Sequence, residues 1–268
     1  MCPSKRSYGI ICCRKHNTEG TQILMVKKSV TYHFCEFVVG KYNIKNKAHL
    51  MRLFNNMTYY EKMDILSMDF KTMWYRVYRE HYEDVVFNKH SNIYALHYFN
   101  KKSIFEKTFL IDNGELLRKL ISNSVNVETQ WEFPKGRKNN FRENDIMTAI
   151  REFKEETNVL DSQYTIQWNI KPYTESYIDF GVKYINKYYF AYTDDIWEPV
   201  YNFCNHQQIS EISCVKWVNK NLLKHLDLNA DIYRRLLVCF DKVTRKFSNG
   251  NKTRKLEHVD LSKYNYTK

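Results

Sequence analysis

Three glutamates are spaced so that one face of a helix could carry all of them. In the run Arg151-Glu152-Phe153-Lys154-Glu155-Glu156 the acids lie at i, i+3 and i+4, positions that an α-helix brings side by side. Neighbouring carboxylates repel one another unless a cation or an arginine offsets their charge. Oxygen donors of this kind suit Mg²⁺ or Mn²⁺. The spacing therefore predicts a divalent-metal site, although such a run is also typical of the solvated face of a surface helix.

A separate apolar stripe would hold this helix in place. Ile146, Ala149, Ile150 and Phe153 recur at helical spacing, so one face should pack into a core while another face presents the carboxylates. Asn158 follows the glutamates, and asparagine tolerates the left-handed conformation that ends many helices. The segment is therefore predicted to be an anchored helix rather than a mobile acidic stretch.

The residues before this helix resemble the signature of the Nudix hydrolases. Trp131-Glu132-Phe133-Pro134-Lys135-Gly136 precedes it, and the acid Glu143 lies upstream of Arg151. In that family a glycine loop, a glutamate, an Arg-Glu pair and a Glu-Glu pair form a strand-loop-helix-loop unit. The loop from Gly136 to Glu143 is one residue longer here than in the family, and Asn158 stands where the family has glycine. The Arg-Glu-x-x-Glu-Glu core is intact.

This resemblance implies a metal-dependent hydrolase that cleaves a nucleoside diphosphate linked to another group. Arg151 is expected to orient the carboxylates by pairing with Glu143; a simple helical pair with Glu155 is the alternative. Glu156 is implied to be catalytic as well as metal-binding. The implied metal ligands are Glu152, Glu155 and Glu156. The residues expected to contact substrate phosphates are Lys135, Gly136 and Lys138.

Glu211 is a candidate outside the signature. It lies between the polar run 205–208 and the strand-like residues Ile212, Cys214 and Trp217. An acid at such a junction resembles the additional glutamate of mRNA-decapping Nudix enzymes, which implies a further metal ligand or a general base. An ordinary exposed acid at the edge of a strand is the alternative interpretation.

The order of predicted elements indicates an α/β fold. Residues 8–13 and 22–26 predict two opening strands. A capping box at Thr58-Tyr59-Tyr60-Glu61 and an Asp69 cap then predict helices. Further strands are predicted at 125–133, 164–170, 176–180, 187–192 and 212–218, and a last helix at 230–247. The Nudix resemblance implies an α/β/α sandwich with a mixed sheet. We expect the first strands in 1–36, an inserted helical subdomain in 37–123, the catalytic core and closing helix in 124–247, and a basic, mobile tail in 248–268.

The composition points to a polyanionic partner. The net charge is +12, which suits nucleic acid, an inositol phosphate or an acidic membrane surface. The seven cysteines show no C-x-x-C pairing, so buried free thiols in a reducing compartment are expected. The sequence lacks an apolar stretch long enough for a membrane span and a signal peptide's apolar region. We therefore expect a soluble cytoplasmic protein.

The resemblance extends over most of the chain to the mRNA-decapping Nudix enzymes of large cytoplasmic DNA viruses, the African swine fever virus type. The segments 54–58 and 69–75 look like that group's helical insertion. The resemblance implies removal of the 5′ cap of mRNA, with release of 7-methyl-GDP and 5′-monophosphate RNA. It also implies a viral protein that degrades host mRNA in the host cytoplasm, with the insertion helping to bind RNA.

Three lysines of the insertion are candidates for RNA contacts, with simple solubilising charge as the alternative. They are Lys101, Lys102 and Lys107. Two other functions stay open: hydrolysis of diphosphoinositol polyphosphates at the same site, and an inactive Nudix module that only binds RNA. The intact glutamates argue against the inactive module. Recognition of a DNA sequence is not expected.

Overall fold

A mixed β-sheet forms the centre of the first part of the chain. In the described residues it has eight strands, which are β1 Ser4–His16, β2 Gly20–Lys28, β3 Trp131–Glu132, β4 Lys135–Gly136, β5 Thr165–Ile166, β6 Tyr173–Asp179, β7 Val182–Thr193 and β8 Ile212–Asn219. Their order is β3-β2-β1-β7-β5, with β4 also paired to β1, β6 to β7 and β8 to β2. β1 and β7 are parallel, and the other pairs are antiparallel.

The structure is a computed structural model. It describes residues 3–78, 92–179, 181–194, 197–202, 205, 208, 211–226, 233, 234, 236–238, 240, 241, 244 and 245. The chain divides into two units, Met1–Leu228 and Asn229–Lys268. In the second unit the described residues are helical, which agrees at those positions with the helix predicted at 230–247. The predicted tail, 248–268, lies outside the described residues.

Helices follow the first two strands and flank the sheet. They are α1 Tyr32–Val38, α2 Lys47–Asn55, α3 Tyr59–Ser67, α4 Phe70–Val77, α5 Asn92–Phe109, α6 Glu115–Ser122, α7 Asp145–Thr157 and α8 Lys220–Leu223, with 3₁₀ turns at Ile111–Gly114 and Asp161–Gln163. No helix in these described parts is long and apolar enough to cross a membrane. The α/β class with a mixed sheet is confirmed.

The described residues of the first unit form two apolar clusters. One lies among α1 to α6 and includes Phe37, Phe54 and Trp74. The other lies between the sheet and α7, where the predicted stripe that includes Ala149 and Phe153 is buried. The helical segment therefore has a core of its own, although it begins at α1, before the predicted boundary. The division of the chain at 36, 123 and 247 stays a prediction.

Two predicted strands are much shorter in the structure. The prediction of 125–133 is wrong before Trp131, because this stretch is held by the helices instead: the Val127 N–H donates to the Met57 carbonyl at 3.2 Å and the Val125 N–H to Asn55 Oδ1 at 3.1 Å. The prediction of 164–170 holds only for β5, after which the chain turns. Backbone N–H groups that donate to other partners cannot also donate to a neighbouring strand.

The expectation of free thiols agrees with the structure. Cys12 and Cys13 are buried in β1, Cys35 and Cys214 are half-buried, and all four are thiols rather than members of disulfides. Burial raises the pKa of the Cys35 thiol to about 12, so this group stays protonated at neutral pH. The remaining cysteines, Cys2, Cys204 and Cys239, lie outside the described residues.

One buried carboxylate joins two helix starts. Glu61 closes the predicted capping box with Thr58: its Oε2 accepts the Thr58 N–H at 2.8 Å, and Thr58 Oγ1 accepts the Glu61 N–H at 3.1 Å. The same carboxylate accepts the Thr31 N–H at 2.5 Å and the Thr31 hydroxyl at 2.9 Å. Thr31 is the N-cap of α1, so Glu61 holds α1 and α3 together. Asp69 caps α4, as predicted.

We predict that Glu61→Ala lowers the free energy of unfolding by about 2–5 kcal/mol, because two buried N–H groups lose their acceptor. Urea denaturation followed by circular dichroism measures this. The matched control is Glu106→Ala, which removes an exposed helical glutamate 3.8 Å from Lys102 and should cost less than about 0.5 kcal/mol. Equal losses for the two variants would show that the capping network does not stabilise the fold.

Candidate active site

Local signals fix the position and rotation of α7. Asn144 caps its start by accepting the Ile146 N–H at 3.1 Å, and Asn158 ends it in the left-handed conformation, with φ of 59°. The apolar stripe packs against the sheet. With that face buried, Glu152 and Glu156 are directed toward β4, where the Lys135 backbone N–H donates to Glu156 Oε2 at 2.9 Å.

Gly136 permits a close approach between β4 and α7. A Cβ atom at this position would lie 2.0 Å from the carboxylate carbon of Glu152, closer than any real contact. The glycine of the signature is therefore required so that the Glu152 carboxylate can lie against the β4 backbone.

Arg151 gathers the acids of the signature, as predicted. Its Nε donates to Glu143 Oε1 at 2.8 Å, and its Nη1 donates to Glu152 Oε1 and Glu155 Oε2, each at 2.9 Å. Its Nη2 donates to the Arg137 carbonyl at 2.8 Å. The predicted ion pair with Glu143 is therefore present despite the longer loop. Burial alone would raise the pKa of Glu143, but the hydrogen bonds from Arg151 and the Asn139 N–H, together with the charge of Arg151, outweigh burial, and the pKa is lowered.

Lys28 enters the site from the end of β2, and the sequence did not reveal it. Its Nζ lies 2.5 Å from Glu156 Oε1, 3.4 Å from Glu132 Oε1 and 3.4 Å from Glu211 Oε2. Burial would lower the pKa of Lys28, but Glu156, Tyr32, Glu132 and Glu211 together outweigh burial and raise this pKa well above its usual range. The Lys27-Lys28 pair was the one sequence feature that could have indicated it. Neighbouring residues in a strand point to opposite faces of the sheet, so only one of these two lysines can enter a site.

Glu132 and Tyr32 are two further residues that the sequence did not assign. The Tyr32 hydroxyl donates to Glu132 Oε1 at 2.9 Å. Lys135 Nζ pairs with the other oxygen of Glu132 and lies 3.3 Å from the Tyr32 hydroxyl. Lys138 Nζ pairs with Asp145 Oδ1 at 2.8 Å. Both lysines proposed for substrate phosphates therefore have acidic partners beside the glutamate helix.

The remaining predicted residues differ in whether they contact the glutamate cluster. Glu211 reaches the cluster through Lys28, and its side chain is 60 % exposed. Lys101 Nζ donates to the Gly40 carbonyl at 3.3 Å, and Lys102 pairs with Glu106. Lys107 is exposed in the last turn of α5. The described contacts of Lys101 and Lys102 are thus made within the helical segment rather than with the glutamates.

Two inner carboxylates carry charge that their neighbours do not fully offset. Burial raises the pKa of Glu152 to about 7, against the opposing effect of Arg151. Burial likewise raises the pKa of Glu156 to about 7, against Lys28. The charges of Glu211 and of nearby glutamates add to both increases. An added cation would therefore stabilise the ionised forms.

The ligand atoms that the predicted metal-binding residues offer are of the type that divalent cations bind. Glu152, Glu155, Glu156 and Glu211 offer only oxygen ligands, which Mg²⁺ and Mn²⁺ prefer. As they stand, the described residues contain no group of three or more acidic, histidine or cysteine side chains arranged around one metal position. Arg151 and Lys28 instead take up carboxylate oxygens that a cation would share.

We predict that Lys28→Met lowers the free energy of unfolding by about 3–5 kcal/mol, because it leaves buried Glu156 and half-buried Glu132 without their shared cation. Chemical denaturation measures the loss, and adding Glu156→Gln should restore part of it. Lys27→Met is the control: Lys27 pairs with half-exposed Glu128 at 3.3 Å, so its loss should stay below about 1 kcal/mol. A similar cost at both lysines would contradict the assigned role of Lys28.

Sequence comparison finds viral relatives over most of the chain. The mRNA-decapping protein g5R of African swine fever virus (isolate Pig/Kenya/KEN-50/1950) is 35% identical over 239 residues, which cover 85% of this chain and 92% of the relative. The g5R protein of isolate Warthog/Namibia/Wart80/1980 is 34% identical over 230 residues, 83% and 88% of the two chains. A putative mRNA-decapping protein of Acanthamoeba polyphaga mimivirus is 26% identical over 215 residues, 72% and 57% of the two chains. No protein-family profile matches.

Solved structures show weaker likeness. A C. elegans Ap4A hydrolase in a binary complex aligns with a TM-score of 0.40 and 14% identity, covering 88% of this chain and 98% of its own. RenU, a Nudix hydrolase from M. smegmatis, aligns with a TM-score of 0.41 and 9% identity, covering 94% and 91%. The identity to g5R over nearly the full relative, together with the intact Arg-Glu-x-x-Glu-Glu core on α7, shows that this chain belongs to the viral g5R family of Nudix hydrolases.

Proposed function

We propose that this chain removes the 5′ cap of mRNA in a metal-dependent reaction, releasing 7-methyl-GDP and 5′-monophosphate RNA. The observation that carries the proposal is the burial of Glu152 and Glu156 against Gly136 and the Lys135 backbone. Relatives that share most of the sequence are named mRNA-decapping proteins. The shared name supports the choice of capped mRNA among the substrates that a Nudix site could take.

Mg²⁺ or Mn²⁺ would be held by Glu152 and Glu156, with Glu155 and Glu211 as further ligands at the edge of the site. When bound, such a cation polarises a phosphate oxygen and neutralises developing charge. Arg151 would keep three carboxylates in fixed orientations through the contacts that it already makes.

The chain's other groups would bind substrate and move a proton. Lys135 and Lys138 lie beside Gly136 and would exchange their acidic partners for substrate phosphate oxygens. Glu211 is exposed at the rim of the cluster, so its carboxylate could accept a proton from an attacking water. Glu156 is the alternative base, because its pKa near 7 suits proton transfer at neutral pH.

Capped mRNA is the proposed partner, and the cytoplasm of an infected host is the proposed location. The net charge of +12 supports a polyanionic substrate. The helical segment, predicted at 37–123, is proposed to help bind the RNA body. Diphosphoinositol polyphosphates carry the same type of phosphoanhydride, so they are the competing substrate class in the test below.

We predict that the wild-type protein releases 7-methyl-GDP from cap-labelled RNA in the presence of Mg²⁺ or Mn²⁺. Glu156→Gln should reduce the rate by about 100-fold or more, because it removes a charged ligand, and should leave RNA binding largely intact. Thin-layer chromatography of the labelled product measures release. Glu106→Gln, at an exposed position of α5, should keep the wild-type rate.

Two outcomes would overturn the proposal in different ways. Absence of cap release with either metal, together with hydrolysis of diphosphoinositol phosphates, would assign the site to the inositol substrates. Absence of both activities with RNA binding retained would assign the chain to an inactive binding module. A wild-type rate for Glu156→Gln would show that the metal site lies elsewhere.

A further inference from the structure

A buried glutamine connects the glutamate helix to the segment before β8. Gln208 is fully buried, and its Nε2 donates to the Glu156 carbonyl at 3.0 Å. That carbonyl lies in the last turn of α7, where backbone carbonyls have no N–H partner within the helix. The Gln208 amide therefore supplies a hydrogen-bond donor to the end of α7 from a separate part of the chain.

Backbone groups contact both ends of the Gln208 amide. Its Oε1 accepts the Asn202 N–H at 2.9 Å, while its Nε2 donates to the Glu156 carbonyl. An exchange of the two amide atoms would bring two acceptors together at one end and two donors together at the other, so these partners fix the orientation of the amide. The Gln208 N–H also donates to Asn205 Oδ1 at 3.2 Å. Gln208 thus joins the residues before β8 to one another as well as to α7.

The sheet holds Glu211 from the other side. Glu211 lies three residues after Gln208, its carbonyl accepts the Ser29 N–H at 2.8 Å, and its carboxylate lies 3.4 Å from Lys28 Nζ. The β2–β8 register shifts just before Lys28, and the Ser213 hydroxyl lies 3.2 Å from the Lys28 carbonyl at this bulge. Bulges beside active sites commonly redirect a side chain. β2 therefore fixes Glu211 relative to the sheet, and Gln208 fixes the same segment relative to α7.

We propose that Gln208 is a positioning residue that holds Glu211 where it can share one divalent cation with Glu152 and Glu156. This inference rests on the proposed function, in which Glu211 is a further metal ligand, and it names the residue that places that ligand. The Glu211 side chain is 60 % exposed, so its position depends on how the backbone around it is held. Groups that orient metal ligands influence metal affinity nearly as strongly as the ligands do.

A purely structural role for Gln208 is the alternative. A buried amide with both of its ends hydrogen-bonded stabilises a fold wherever it lies, so a loss of stability on its removal is expected under either interpretation. The two interpretations differ in whether the effect of Gln208 on cation binding passes through Glu211. The experiment must therefore measure cation binding with Glu211 present and with Glu211 altered.

The test compares the same substitution at two buried glutamines of the full-length protein. Gln208→Met removes both amide hydrogen bonds and keeps the length of the side chain. Gln22→Met is the matched control: its Oε1 accepts from Arg14 Nε at 2.6 Å and its Nε2 donates to Glu19 Oε2 at 2.7 Å, near the opposite end of β2 from Lys28. Isothermal titration of Mn²⁺ into the metal-free proteins measures affinity, and urea denaturation checks that each variant folds.

Gln208→Met should bind Mn²⁺ about tenfold more weakly than the wild type, whereas Gln22→Met should keep the wild-type affinity. Both variants should unfold at lower urea concentrations. Equal Mn²⁺ affinities in the two variants would overturn the inference. If Gln208→Met does not fold, Gln208→Asn takes its place, because it keeps the amide but shortens its reach by one methylene, and the same weakening is expected.

A double-mutant cycle with Glu211→Gln separates positioning from general support of the fold. If Gln208 acts through Glu211, Gln208→Met should weaken Mn²⁺ binding by less than about twofold when Glu211 has already been replaced. A tenfold loss in both backgrounds would show that Gln208 acts independently of Glu211, and this would refute the positioning role.

Cap cleavage by the same variants allows the two claims to fail separately. Gln208→Met should lower kcat for 7-methyl-GDP release about tenfold and leave KM for capped RNA nearly unchanged. Cap release by the wild type, combined with independent effects in the cycle, would refute the positioning role alone. Coupled effects on Mn²⁺ binding, combined with no cap release by the wild type, would refute decapping and support the positioning role.

Discussion

The buried carboxylate of Glu156 is the feature on which the site depends. The apolar stripe of α7 can reach the core only if this acid is carried below the surface beside β4 and β2. A buried carboxylate is costly unless charged and hydrogen-bonding partners surround it. Lys28 and the backbone N–H of Lys135 supply those partners from two different strands, so the sheet register and the helix position are fixed together.

The same arrangement leaves the site short of positive charge. Arg151 serves Glu143, Glu152 and Glu155, and Lys28 serves acids from three other segments. Burial is the main reason that the pKa values of Glu152 and Glu156 rise to about 7, and the excess of carboxylates over the cations that hold them raises both values further. A divalent cation would supply the missing positive charge, and it would act as the Lewis acid in hydrolysis of a phosphoanhydride.

The sequence predicted the parts of the site that local interactions determine. The Asn158 cap of α7, its apolar face and the Arg151–Glu143 pair all follow from spacings within one segment. Lys28 and Glu132 could not be found in this way, because β2 meets β3 and β8 through pairings between residues distant in sequence. The strand predicted at 125–133 was too long, because residues before Trp131 form hydrogen bonds with the helices. Such tertiary contacts cannot be read from β-propensity.

Direct measurement of cation binding tests the central claim that the acids of α7 form a metal site. Isothermal titration of Mn²⁺ into the metal-free wild-type protein should show saturable binding. The double variant Glu152→Gln, Glu156→Gln should bind at least about 100-fold more weakly, because two charged oxygen ligands are lost. Mn²⁺ binding of equal affinity in the double variant would contradict the account.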